Sequence, residues 1–358
     1  MLLKNERVIQ MSRMISKQPP KRIKPLSESH TLPRLQKIIT VTKLDPDPST
    51  TECLFKGIYV NEAQEQLIIA KGKYIMKLSL RTLKLIYCSK IHEQPIYKLI
   101  HIPTQNLFAT ASWDHSVKIF CFKQSYREKR CLKFTDQVFS IDYCPKNNLI
   151  AVCGRFPNIF VQNFDTGKSS SIAQGKTDIF LSVKFISDKN LLAATTYHQA
   201  KLIRAIIIDV KTMDVLYKIQ DPSGYTKASF CLQYDKVEET LLIGNQFSEI
   251  EGWKYQQKKG ERRFLKAFYH KEPAENNNKA FYDDILANWR NFKLVAVDSN
   301  YVDGAQGKKP ALQFFTQYKQ GKVLRKELPY KGFVTVLTTW KKSLLLGSGS
   351  GERFFLFG

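Results

Sequence analysis

The chain is 358 residues long, 43% hydrophobic and 12% aromatic, with a formal net charge of +24 at pH 7. No apolar run reaches the roughly 18 residues of a membrane-spanning helix, and the length admits two ordinary domains or one large all-β domain. So positive a chain favours polyanionic partners, such as nucleic acid, acidic protein surfaces or anionic lipid, unless its cations are spread over every face.

The seven cysteines are Cys53, Cys88, Cys121, Cys131, Cys144, Cys153 and Cys231. None forms a C-x-x-C pair and most fall in apolar runs. They read as buried, reduced thiols of an intracellular protein, cytoplasmic or nuclear, and not as a zinc site.

Up to Lys43 the chain carries ten Lys/Arg against Glu6 and Glu28. Residues 1–34 are expected to form a basic, flexible N-terminal arm, because Pro19-Pro20, Pro25 and Pro33 break any long amphipathic helix. A mitochondrial transit peptide is the alternative; Met1-Leu2-Leu3-Lys4 is too short for a secretory signal. The β-branched run Leu35–Lys43 follows.

From there the chain reads as short apolar runs separated by polar turns. Cys53–Tyr59, Gln66–Ala70, Tyr74–Leu80 and Leu83–Cys88 form a first group of four. Ile96–Ile102, Leu107–Ser112 and Val117–Phe122 follow, with Trp113-Asp114-His115 as a tight turn. Next come Val138–Tyr143, Leu149–Cys153, Ile159–Phe164 and a weak polar run near Ser169–Ile172. A fourth group is Ile179–Ile186, Leu191–Thr195, Leu202–Val210 and Val215–Ile219. The fifth is Ala228–Tyr234, Thr240–Gly244, Ile250–Tyr255 and Phe264–Tyr269, then a polar loop, His270–Lys279. The sixth has Phe281–Leu286, Lys293–Val297, Leu312–Phe315 and Val323–Leu328, with a long turn at Asn300–Pro310. The last, Phe333–Thr338, Ser343–Leu346 and Phe354–Phe357, ends after three.

The stretch His92–Lys123 carries a resemblance. His92, Ser112, Asp114 and Val117-Lys118-Ile119 match, in order and spacing, the WD-repeat pattern of a histidine, a β hairpin, an S-x-D turn and a V-K-I-W strand. Phe120 stands where that family usually has tryptophan. The resemblance implies an all-β, seven-bladed propeller of four-stranded antiparallel blades. It also implies a ring closed by an N-terminal strand, for which Leu35–Lys43 is the candidate, so that residues 35–358 form the propeller. In the second unit His92, Ser112 and Asp114 would form the family's hydrogen-bond network, with Phe120 unable to supply an indole N–H. Repeats of 40 to 53 residues fit such a ring: the Leu107 strand is echoed at Leu67, Leu149, Leu191, Leu241, Leu294 and Leu344. Single blades cannot bury both faces and stacked ones can.

Catalytic chemistry is not apparent. The six histidines are dispersed, Gly347–Gly351 lacks the lysine and helix of a phosphate loop, and no cofactor or metal is expected. Aligning the units at the turn between second and third strands places aromatics at Tyr74, Trp113, Phe156, Tyr197, Phe247 and Tyr301. Lys73, His115, Arg155 and His198 lie beside them. This is the expected partner-binding rim, unless each ring instead leans onto the next blade. A basic patch is expected from Lys254, Lys258, Lys259, Arg262, Arg263 and Lys266 on the fifth unit with Lys308 and Lys309 on the sixth. It would attract phosphate backbones. The resemblance implies a non-catalytic scaffold binding protein subunits of a larger complex. The alternative is a subunit of a nucleic-acid-containing assembly, in ribosome biogenesis or chromatin, docked by the basic side.

Overall fold

The computed structural model describes residues 32–40, 55–82, 84–122, 126–173, 179–197, 203–220, 228–229, 231–245, 249–258, 261–271, 280–290, 292–300, 310–317, 323–328, 334–348 and 353–358. Among them every regular element is a strand. After β1 (Leu35–Thr40), the first sheet is β2 (Phe55–Asn61), β3 (Gln66–Lys71), β4 (Tyr74–Ser79) and β5 (Leu85–Lys90). The second is β6 (Ile96–Ile102), β7 (Leu107–Ser112), β8 (Ser116–Phe122) and β9 (Tyr126–Lys133). The third is β10 (Val138–Cys144), β11 (Leu149–Gly154), β12 (Asn158–Asn163) and β13 (Ser169–Ala173). The fourth is β14 (Ile179–Ile186), β15 (Leu191–Tyr197), β16 (Ile203–Asp209) and β17 (Val215–Gln220). The fifth is β18 (Cys231–Asp235), β19 (Thr240–Gly244), β20 (Glu249–Lys258) and β21 (Glu261–Lys271). The sixth is β22 (Ala280–Trp289), β23 (Phe292–Asn300), β24 (Ala311–Phe315) and β25 (Val323–Glu327). The last strands are β26 (Val334–Trp340), β27 (Ser343–Ser348) and β28 (Arg353–Phe357).

Six sheets pair in sequence order, and the seventh has the order β1-β28-β27-β26. The innermost strands touch in a closed cycle: β2 meets β6, then β10, β14, β18, β22 and β26, and β26 returns to β2. This is a seven-bladed β-propeller whose last blade takes its outer strand from the N-terminal side. Register runs from Leu35 opposite Phe357 to Thr40 opposite Arg353. Pairing begins earlier than expected, since Arg34 and Gly358 exchange two backbone hydrogen bonds at 3.0 and 3.1 Å.

Apolar packing between blades explains the nearly continuous hydrophobic runs. All six side chains of β7 are buried. Ile68, Ala70 and Ile75 of blade 1 pack on Ile96, Phe108 and Phe120 of blade 2; full burial of a ring like Phe120 contributes about 1.5–3 kcal/mol. Outer strands are half wet, and this is where sequence reading was weakest. β9, rich in Arg and Lys, gives no apolar run, yet it pairs fully with β8. β21 extends through His270 to Lys271, residues expected in a loop.

The turn between first and second strands repeats one backbone feature. Glu65, Asn106, Asn148, Asn190, Glu239 and Lys341 all have φ between 48° and 55°. Three of the six are Asn, which tolerates this left-handed region better than most residues.

Gly57 marks the closest approach of two blades. A Cβ there would lie 2.4 Å from Leu99 Cβ and 2.9 Å from the Leu99 nitrogen on the neighbouring inner strand. Gly57→Ala should therefore destabilise the ring by about 1–3 kcal/mol through overpacking. Urea unfolding monitored by tryptophan fluorescence measures it, and an unchanged midpoint would show that blades 1 and 2 can part at no cost.

Candidate functional site

In blades 1 to 3 one rim of the ring is stitched by short backbone bonds between the inter-blade segments and the turns joining second to third strands. The Ile96 N–H donates to Gly72 C=O at 2.8 Å, Trp113 to Pro95 at 3.1 Å, Phe134 to His115 at 2.8 Å, and Arg155 to Gln137 at 2.8 Å. The turn of blade 2 carries a network of side-chain hydrogen bonds. His92 is buried, its Nδ1 2.8 Å from Asp114 Oδ2 and its Nε2 2.8 Å from Thr110 Oγ1. A neutral imidazole satisfies both contacts, donating from Nδ1 and accepting the threonine hydroxyl at Nε2. Asp114 also accepts the Glu93 N–H at 3.1 Å and the Ser116 N–H at 3.1 Å.

Burial alone would raise the Asp114 carboxyl, but the bonds from His92, Ser116 and Glu93 outweigh it and hold the group well below the usual carboxylate range. Burial likewise keeps His92 below its ordinary value, partly opposed by Asp114. Ser112, expected in the same network, donates to Gln94 C=O at 2.9 Å and accepts the Asp114 N–H at 3.1 Å. The hydroxyl that reaches His92 is that of Thr110, two residues earlier on the same face of β7. Phe120 is fully buried, between Phe108 and Tyr126, with ring centroids 5.8 and 5.0 Å away.

The inner strands carry a second repeated feature. Register slips once near the start of five further inner strands as in blade 2, where Ile96 opposes Ser112 but Lys98 already opposes Ala111. Such bulges re-aim a side chain. In blades 2 and 3 the extra residues are aromatic, Tyr97 and Phe139, and both are half-buried. Tyr97 lies 5.7 Å from the Trp113 ring at 21°, stacked, and 5.5 Å from Phe139. Trp113, Tyr97 and Phe139 thus run along the rim from blade 2 to blade 3.

Residues 83–121 match the profile of the family "WD domain, G-beta repeat". That stretch, from β5 of blade 1 to β8 of blade 2, is similar to a WD40 repeat. The chain is also similar in structure to the β-propeller domain of Cps50 (Swd1) from Myceliophteria thermophila. That match has a TM-score of 0.69 and 13% identity, and covers 91% of this chain and 99% of the other. A comparison with curated protein sequences gave no match. The fold is thus a WD-repeat-type propeller, with the repeat recognisable in sequence in blade 2.

Around blade 2 the expected rim residues divide. Trp113 is half-buried and in the aromatic run, while Arg155 and His115 are exposed. Tyr74 is half-buried and leans onto the core shared by blades 7 and 1. Tyr197 is half-buried at the end of β15. Phe156 does not face a partner: it is 3% exposed, stacked on Phe134 at 5.3 Å and 7°. Gly154 makes room for that ring, since a Cβ there would sit 2.7 Å from Phe156 Cε1. Phe247, Tyr301 and His198 lie outside the described residues. Tyr97 and Phe139 were missed because a bulge inside an apolar run leaves no mark in sequence.

The basic patch is partly neutralised within the fold. Arg262 reaches Asp209 of blade 4 at 2.7 Å, Arg263 reaches Glu261 at 2.5 Å, and Lys266 reaches Glu251 at 2.6 Å. Lys254 and Lys258 are exposed; Lys259, Lys308 and Lys309 lie outside the described residues. Behind Lys266 is an ionic cluster that no sequence pattern announced. Arg204 on β16, 2% exposed, contacts Glu251 at 2.8 Å and Glu249 at 3.4 Å on β20. Tyr269, Asn245 and Trp253 donate to the same two carboxylates at 3.0, 2.8 and 3.3 Å. The cluster joins blades 4 and 5 near the same rim.

Two measurements test these arrangements. As pH falls through about 6.5, the ordinary histidine value, the unfolded chain takes up a proton that folded His92 refuses, so stability falls. Asp114 adds stability that is present above about 4 and lost below it. The melting temperature should drop between about pH 7.5 and 5, and His92→Gln, less stable throughout, should drop less; equal slopes would exclude His92 as the source. Glu251→Ala should cost about 3–5 kcal/mol, because Arg204 stays buried with an incomplete set of acceptors, whereas Lys254→Ala should change urea stability by less than about 0.5 kcal/mol.

Proposed function

We propose that this protein is a non-catalytic WD-repeat scaffold that binds protein subunits of a larger intracellular assembly, and that it grips a partner at the rim around Trp113. The observation that carries this reading is the half-buried run Trp113–Tyr97–Phe139, which crosses from blade 2 to blade 3 beside the hydrogen-bonded turn of Asp114. Aromatic side chains with few rotatable bonds, held on a rigid frame, supply binding energy at low entropic cost. The likeness to the Cps50 (Swd1) propeller supports the fold on which the reading rests. The basic residues before Leu32 are proposed as a second point of attachment. The nucleic-acid reading of the basic hairpin has less behind it, because Arg262, Arg263 and Lys266 already face carboxylates.

Affinity capture of the tagged full chain, quantified by mass spectrometry, tests the proposal. Trp113→Ala should lower recovery of the partner set at least about tenfold, in line with the loss of a tryptophan anchor, while circular dichroism stays that of the wild type. Lys254→Ala with Lys258→Ala should leave recovery unchanged. A partner set indifferent to Trp113 would move the contact surface elsewhere.

A further inference from the structure

The charges beside the aromatic run indicate what chemistry a partner must bring, an inference that rests on the rim reading above. Lys98 lies one residue beyond Tyr97 on the inner strand, Lys133 ends β9 beside the blade 2 turn, and Arg155 follows β11. All three are exposed. Lys133 pairs in register with Ser116, and Arg155 is bonded by its backbone to Gln137, two residues before Phe139. None of the three makes an ion pair among the described residues.

The neighbouring carboxylates, by contrast, are committed. Glu93 is held by Lys90 at 2.7 Å. Both oxygens of Asp114 serve the buried turn. Asp136 Oδ1 accepts the Gln137 N–H at 2.7 Å. The rim of blades 2 and 3 therefore presents cations without internal partners, grouped around apolar rings.

Two classes of polyanion suit cations interleaved with aromatics: acidic peptide and single-stranded nucleic acid. Base stacking requires a free ring face. Here one face of Trp113 and one of Tyr97 are turned to each other at 5.7 Å and 21°, and Phe139 lies 5.5 Å from Tyr97, tilted at 48°, so the rings are engaged with one another. Their edges carry the positive part of the aromatic quadrupole on a rim that also bears ammonium and guanidinium groups. Edges and cations together suit carboxylates with an apolar side chain between them. We infer that the Trp113–Tyr97–Phe139 rim binds an acidic peptide segment of a partner protein, one bearing a large apolar residue flanked by Asp or Glu.

A random dodecapeptide display library, selected on the full-length protein and counter-selected on Trp113→Ala, tests this without presupposing the partner. The Trp113-dependent pool should be net negative and carry an aromatic or large aliphatic residue. A synthetic peptide from it should bind at least about tenfold more weakly to the Lys98→Glu, Lys133→Glu double variant. Both positions are exposed, so the fold should be unaffected. Raising salt from about 0.1 to 0.5 M should weaken binding further. A Trp113-dependent pool that is neutral or basic overturns the acidic class and leaves the rim reading standing. The absence of any Trp113-dependent pool overturns both. If a 12-nucleotide oligo(U) probe is retained by the wild type and lost in the same variants, while the acidic peptides are not retained, the site is one for nucleic acid and the inference fails.

Discussion

A sheet that is apolar on both faces needs a neighbour on each, and in a ring of blades the requirement ends only when the last blade meets the first. Here that meeting depends on β1. The strand it covers, β28, reads Arg-Phe-Phe-Leu-Phe, and three of its phenylalanines are completely buried. Left as an edge, such a strand would offer unpaired backbone groups beside an apolar, nearly uncharged sequence, the combination that templates aggregation. Pairing with β1 removes that edge, and Leu32 and Leu35 add their side chains to the core between blades 6 and 7. The N-terminal side of the fold is thus a structural clasp, and the circular stacking of blades rests on it.

Within the closed ring, polar interactions act mostly at its ends. The His92–Asp114–Thr110 set and the Arg204–Glu249–Glu251 cluster both lie where an inner or third strand begins, beside the turns of one rim. At that level apolar packing gives way to solvent, and backbone groups of the turns need partners. The two clusters solve the problem differently. In blade 2 one carboxylate organises a turn within its own blade. Between blades 4 and 5 an arginine crosses the gap to two glutamates, so loss of either carboxylate leaves charge stranded in a dry site.

Much of the ring was legible from the sequence. The recurring Leu-apolar pairs located the buried second strands, because a strand covered on both faces must be apolar throughout. The outer strand β9 was invisible for the converse reason: Arg127, Glu128 and Lys129 are exposed, so no apolar run marks it. Part of the site was legible too. His92 and Asp114 stand out through their spacing, and Trp113 through its turn. Thr110, which contacts His92 from the same strand face as Ser112, was not singled out. Tyr97 and Phe139 could not be read as rim residues, because their exposure comes from a register slip that depends on the partner strand. Phe156 was misjudged since turn position alone does not say whether a ring points outward or into the next blade.

In blade 2 the hydrogen-bonded turn and the aromatic run are physically linked. The hydrogen bonds around Asp114 fix the turn at both of its ends, through Glu93 on one side and Ser116 on the other. Trp113 sits between those anchors, and its N–H to Pro95 ties it to the segment entering β6. The backbone carrying the indole is therefore held before any partner arrives, and the ring is seated against Tyr97. Loops free in solution lose conformational entropy on binding; this one has already lost it on folding. The hydrogen-bond set and the stacked rings thus share one turn: the same bonds that tie blade 2 to the segment before it also fix the backbone on which the indole is carried.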